Sequence, residues 1–121
     1  MAKNMEIIWL YDFYGEMLTD KQQQMIELYY EEDLSLSEIA ENQHITRQGV
    51  RDCIKRAEAQ MVEMEDRLHL AARFRVMHDG LDAIREAAQD IQMLNDRTRF
   101  SRDIEERAAK IVKLTETLRE R

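Results

Sequence analysis

The sequence predicts an all-α protein, a helix-turn-helix domain followed by a long C-terminal helical extension. Three observations predict it. The 121 residues include no proline and only three glycines, so helix breakers are nearly absent. The dominant residues, Glu, Ala, Arg, Leu, Met, Gln and Ile, favour helices. Apolar residues recur at spacings of three and four, whereas β-branched residues are scarce and never alternate over a strand length. The length suits one core with a helical extension. The expected division is residues 1–66, a four-helix domain, and residues 67–121, a helical arm or hairpin.

The first helix is expected over residues 5–17. Ile7, Ile8, Leu10, Tyr11, Tyr14 and Met17 leave it apolar around much of its circumference, which means burial between other elements. Trp9 and Phe13, four apart, are read as core; anchoring a partner is the alternative. Thr19 and Gln22 have capping-box spacing and start a second helix running to about Glu31. Met25, Ile26, Leu28 and Tyr29 supply its buried side. Glu31, Glu32 and Asp33 end it as a solvated acidic corner.

Residues 35–58, SLSEIAENQHITRQGVRDCIKRAE, read as the helix-turn-helix. Ser35 stands three residues before Glu38, again a capping box. Ile39 and the small Ala40 form the inner face of the first short helix. Gln43, His44 and Ile45 make the turn, with Ile45 plugging the gap. Thr46 caps the second helix, and Val50, Cys53, Ile54 and Ala57 follow at helical spacing. Outward lie Arg47, Gln48, Arg51, Lys55 and Arg56, donors suited to phosphates and base edges. These five, with Thr46 as cap and possible phosphate donor, are the candidate nucleic-acid-binding residues.

The second helix has no stop signal at the domain edge. Ile54, Ala57, Met61, Met64, Leu68 and Ala71 are spaced 3, 4, 3, 4, 3, and no breaker intervenes before Gly80. A helix of about 30 residues would reach roughly 45 Å. It either projects as a stalk or breaks near residues 68–71. Met61 and Met64 are read as core or dimer packing. Leu81, Ile84, Ala88, Ile91 and Leu94 form a further stripe. Ile104, Ala108, Ile111, Leu114 and Leu118 form another, after Phe100. The turn is expected at residues 95–101, with Ser101 capping the last helix. The alternating Arg and Glu around 102–107 are ordinary surface pairs. Such an arm closes on its own chain or on another copy, and a homodimer through it is expected.

The run ITRQGVRDCIKRAE resembles the recognition helix of sigma factor region four. Upstream, LYDFY at 10–14, LTDKQ at 18–22, LYYEEDLSLSEIA at 28–40 and RQGVRDCIKR at 47–56 stand in the order and form of the YlxM family of small bacterial helix-turn-helix proteins. The chain is similar to that family over roughly residues 5–78. The resemblance implies a sigma region-four-like fold and a regulatory role in the signal recognition particle pathway, since members are usually encoded beside the particle's GTPase or its receptor.

The charge distribution tempers the nucleic-acid reading. The net charge is −7. Residues 1–66 carry six Lys or Arg against fifteen Asp or Glu, residues 67–121 twelve against ten, and residues 46–56 four against one. One basic helix thus sits in an acidic domain, and affinity for phosphate depends on how many phosphates are neutralised. Weak binding of DNA or structured RNA is expected. The alternative is a protein-binding adaptor of the particle's GTPase or receptor, with the helix-turn-helix as scaffold. No enzyme is expected: His44, His69 and His78 form no ligand pair, and no glycine loop, nucleophile motif, cofactor or metal pattern stands out. Cys53, the only cysteine, reads as a core thiol suited to a reducing compartment. The apolar run at 7–14 is too short to span a bilayer, so a cytoplasmic protein with no membrane insertion is expected.

Overall fold

The computed structural model describes residues 2–120. Helix α1 spans Met5–Tyr14, α2 Asp20–Ile26, α3 Leu36–Gln43, α4 Arg47–Leu68, α5 Leu70–Arg97 and α6 Arg102–Arg119. No strand occurs among the described residues, so the fold is all-α. The chain forms two compact units that divide between Ala72 and Arg73. The expected division at 66/67 falls inside α4 instead.

Local chemistry sets the helix starts in the first unit. Asn4 caps α1 by accepting from the Glu6 N–H. Thr19 and Gln22 make a reciprocal capping box for α2, and Ser35 and Glu38 do the same for α3. Each satisfies backbone donors that a helix start leaves open. The first helix is shorter than expected: after Tyr14 the chain tightens into a 3-10 turn, Gly15–Met17, which turns Met17 out to solvent. Gly15 is needed there, because a Cβ would stand 2.9 Å from the Tyr11 ring. Beyond α2 the helix widens into a π turn, Glu27–Glu31.

Helix α4 is the spine of the first unit, and α1, α2 and α3 all pack on it. Val50, Ile54, Ala57 and Met61 are fully buried against Ile7, Leu10, Tyr14, Met25, Ile26 and Ile39. Each such aliphatic side chain contributes about 1.5–3 kcal/mol by leaving water. Trp9 and Phe13 are only partly buried, packed edge to face with ring centroids 5.9 Å apart. Tyr29 and Tyr30 enter the core, and Leu28 is half-buried beside them.

The long helix runs unbroken past Glu58 and ends at Leu68, where His69 adopts a left-handed conformation (φ 57°, ψ 27°). A polar knot holds the break. The Tyr14 hydroxyl donates to Glu65 Oε1 at 2.6 Å and accepts from the Leu70 N–H at 3.3 Å. Glu65 also accepts from the N–H groups of Ala71 and Ala72, at 3.0 Å each. The carboxylate thereby caps the first turn of α5. Burial works against its charge, but the bonds from Tyr14, Ala71 and Ala72, with His69 nearby, outweigh that and hold its carboxyl below the usual range. Leu68, expected on the inner stripe, is half-exposed at the break, while Ala71 is buried beyond it.

The second unit is an antiparallel pair, α5 and α6. Gln92 donates to Glu105 at 3.0 Å and Arg119 to Asp82 at 2.7 Å. The buried Asn95 clamps the connecting loop: its amide donates to the Ser101 carbonyl and its oxygen accepts from the Ser101 N–H. Ser101 caps α6, as the sequence indicates. The two apolar stripes do not close on each other. The seam between the helices buries Ala88, Asn95, Ala108 and Thr115, while Ile84, Ile91, Leu94, Ile104, Ile111, Leu114 and Leu118 stay between 39% and 60% exposed. Small and polar residues occupy the seam, and the branched ones stay outside it.

Candidate nucleic-acid interface

The turn between α3 and α4 is closed by backbone geometry. His44 takes a left-handed conformation (φ 57°), and the N–H groups of His44 and Ile45 both end on the Ala40 carbonyl. This is a Schellman-type stop with histidine where glycine is usual. Ile45 packs partly buried against the core. Thr46 then caps α4, its hydroxyl accepting from the Gly49 N–H at 2.9 Å. Gly49 fits that approach, since a Cβ would stand 3.1 Å from the Thr46 hydroxyl.

With Val50, Ile54 and Ala57 buried, helical geometry sends the opposite face to solvent. Thr46, Arg47, Gln48, Arg51, Lys55 and Arg56 are all exposed. Among the described residues the four cations of this face make no ion pair, so their donors are open to a ligand. They do not form one cluster. Arg47, Gln48 and Arg51, with Leu36 from α3, line a hollow of about 440 Å³. Arg47 also borders the start of α3, in a second hollow with Lys3, Ser35 and Ser37. Arg56 lines a separate groove with Thr19, Lys21, Gln22 and Cys53. Between the two flanks stands Asp52, to which the Gln48 amide donates at 2.9 Å.

Asp52, Lys21 and Lys3 join the candidate residues only in the folded chain. Asp52 is legible, one turn after Gln48 on the same face. Lys21 and Lys3 come from other elements and carry no local signal. Lys3 is already engaged, paired with Asp33 and lying 4.5 Å above the Tyr29 ring. Cys53 is half-buried: burial pushes its thiol up, against the weaker pull of Lys21 and Arg56. A raised thiol is a poor nucleophile at neutral pH.

A family model described as "Putative helix-turn-helix protein, YlxM / p13 like" matches residues 1–101. The chain belongs to this family. Its relatives agree. The UPF0122 protein of Thermoanaerobacter sp. (strain X514) is 42% identical over 104 residues, 80% of this chain and 89% of that one. The UPF0122 protein of Limosilactobacillus reuteri (strain DSM 20016) is 44% identical over 110 residues, 88% and 97%. That of Desulforamulus reducens is 54% identical over 65 residues, 54% and 56%. The match includes the whole helix-turn-helix and ends at the loop before α6. The family description names a helix-turn-helix and no enzyme activity. Among the described residues no three His, Cys, Asp or Glu side chains group as metal ligands, and no helix is long and apolar enough to cross a membrane.

Proposed function

We propose that this family member is a cytoplasmic regulatory protein that binds DNA or structured RNA weakly through the outward face of α4. The carrying observation is the pair Arg47 and Arg51, exposed, without an ion pair among the described residues, and sharing one hollow at the start of a capped helix. Gln48, Lys55 and Arg56 add donors, and the Thr46 hydroxyl fixes the helix start. Asp52 in the middle of the face repels phosphate and keeps affinity low. In this reading the contacts are mainly to backbone phosphates, and two copies of the chain act together through the C-terminal helices. The family resemblance supports a role for that activity in the signal recognition particle pathway. Asp52 and the acidic first half also support a second reading, in which the helix-turn-helix is a scaffold and the chain is an adaptor of the particle's GTPase or receptor.

Fluorescence anisotropy with random duplex DNA and with a structured RNA, over a salt series, tests the proposal. Arg47→Ala with Arg51→Ala should weaken binding uniformly across sequences and make the slope of log affinity against log salt shallower by about two. A loss of about 1–3 kcal/mol confined to particular sequences would instead indicate base contacts. An isotherm unchanged by the double substitution at every salt concentration favours the adaptor.

A further inference from the structure

We propose that the exposed apolar side of the second unit is where two copies of this chain join, each α5–α6 hairpin supplying half of a four-helix bundle. The inference deepens the self-association in the reading above and stands without its nucleic-acid part. Ile84, Ile91 and Leu94 on α5, and Ile104, Ile111 and Leu118 on α6, are all substantially exposed. They follow heptad spacing, which marks helices that pack on a second partner.

These stripes share one side. Ile84 lies four residues before the seam residue Ala88, and Ile104 four before Ala108. The helices are right-handed and run antiparallel, so equal offsets from the seam turn both stripes to the same side of the hairpin. With α6 about 27 Å long over its 18 residues and two helices spanning roughly 20 Å, the face covers about 500 Å² in projection. That is the scale of a standard interface, which takes about 800 Å² of accessible surface from each partner. Scattered exposed apolar residues are ordinary, but a contiguous face of this size marks an interaction site.

Charge at the stripe edges selects the occupant and its direction. The pairs Asp82–Arg119 and Gln92–Glu105 fix the level at which α5 faces α6. By that register Asp90 stands level with Arg107 and within a turn of Lys110. All three are exposed and, among the described residues, free of ion pairs. A two-fold axis parallel to the helices lays α5 of one copy against α6 of the other at the same level. Asp90 then meets Arg107 and Lys110 of the second copy. An axis across the helices would set α5 on α5 in opposite directions, bringing Asp90 near Asp90 of the second copy, which like-charge repulsion opposes. In the parallel-axis bundle both chains enter α5 at the same end.

Sedimentation equilibrium of the full chain without nucleic acid tests this independently of the nucleic-acid reading. A dimer at tens of micromolar is expected. Ile111→Asp, which occurs twice in the interface, should raise the dimer Kd about 100-fold or more with helicity unchanged by circular dichroism. Asp90→Lys should raise it about fivefold, and adding Lys110→Asp should recover most of that loss. The charge pair does not depend on Ile111→Asp folding well. A wild-type chain that stays monomeric at about 100 µM overturns the proposal, as does a Kd indifferent to Ile111→Asp in a folded chain. Failure of the charge reversal to recover overturns the parallel-axis arrangement.

Discussion

The two units of this chain use the same kinds of residue in opposite ways. In the first, Ile7, Ile26, Ile39 and Ile54 are fully buried around α4, and polar side chains serve as caps. In the second, Ala88, Asn95, Ala108 and Thr115 are inside, and the isoleucines face out. The first unit has four helices to wrap one core. The second has two, and a pair of helices offers one seam, so each helix carries more apolar surface than its neighbour can cover. Burial therefore reports the number of helices available as well as the hydrophobicity of a stripe.

Core truncation should break the contrast most strongly. Ile54→Ala removes a side chain buried at the centre of the first unit and should cost about 2–5 kcal/mol, read as a lower urea midpoint. Ile84→Ala, on the exposed side of α5, should change monomer stability by less than about 0.5 kcal/mol. If both substitutions cost the same in dilute, monomeric protein, the two units are not built on different principles.

Glu65→Gln comes next, at about 2–3 kcal/mol, because it weakens charge-assisted bonds to Tyr14, Ala71 and Ala72. The carboxyl of Glu65 is lowered in the fold from an ordinary value of 4.5. Its contribution is therefore present above that pH and fades as pH falls through the lowered folded value. Urea midpoints of wild type and Glu65→Gln should differ at pH 7 and converge in acid. A constant gap down to pH 2 would remove the carboxylate from this role.

The seam of the second unit should resist enlargement. Ala108→Leu places extra volume at a fully buried seam position and should cost about 1–3 kcal/mol, seen as lost helicity on mild heating. The smallest effect is a gain. His44→Gly and His69→Gly relieve left-handed backbone, and each should raise thermal stability by about 0.5–1 kcal/mol.

How legible these features are depends on the distance over which each is determined. The capping boxes at Thr19 and Ser35, the Thr46 cap and the Ser101 start follow from residues three apart, and the sequence displays them. The inward line Val50, Ile54, Ala57, Met61 is likewise local. The stop at His69 is indistinct in the sequence because Tyr14, 51 positions before Glu65, helps hold it. On α5, Leu81, Ile84, Ala88, Ile91 and Leu94 read as one stripe, yet Ala88 turns to α6 and the isoleucines away. Periodicity finds the apolar side of a helix but cannot divide it between two partners. At the candidate interface the outward residues of α4 are legible for the same local reason. The split that sends Arg56 toward Lys21 and leaves Arg47 beside Leu36 comes from α2 and α3 packing on either side.

The knot of Tyr14 and Glu65 also links amide exchange in one element to the docking of another. The first N–H groups of a helix ordinarily have no partner and trade hydrogen for deuterium quickly. Those of Leu70, Ala71 and Ala72 are bonded to Tyr14 and Glu65, and Tyr14 belongs to α1. They can exchange only when α1 lets go or Glu65 swings out. Their protection factors should therefore follow the opening free energy of α1 and stay well above those of the first amides of α6, whose cap is a serine beside them in the chain.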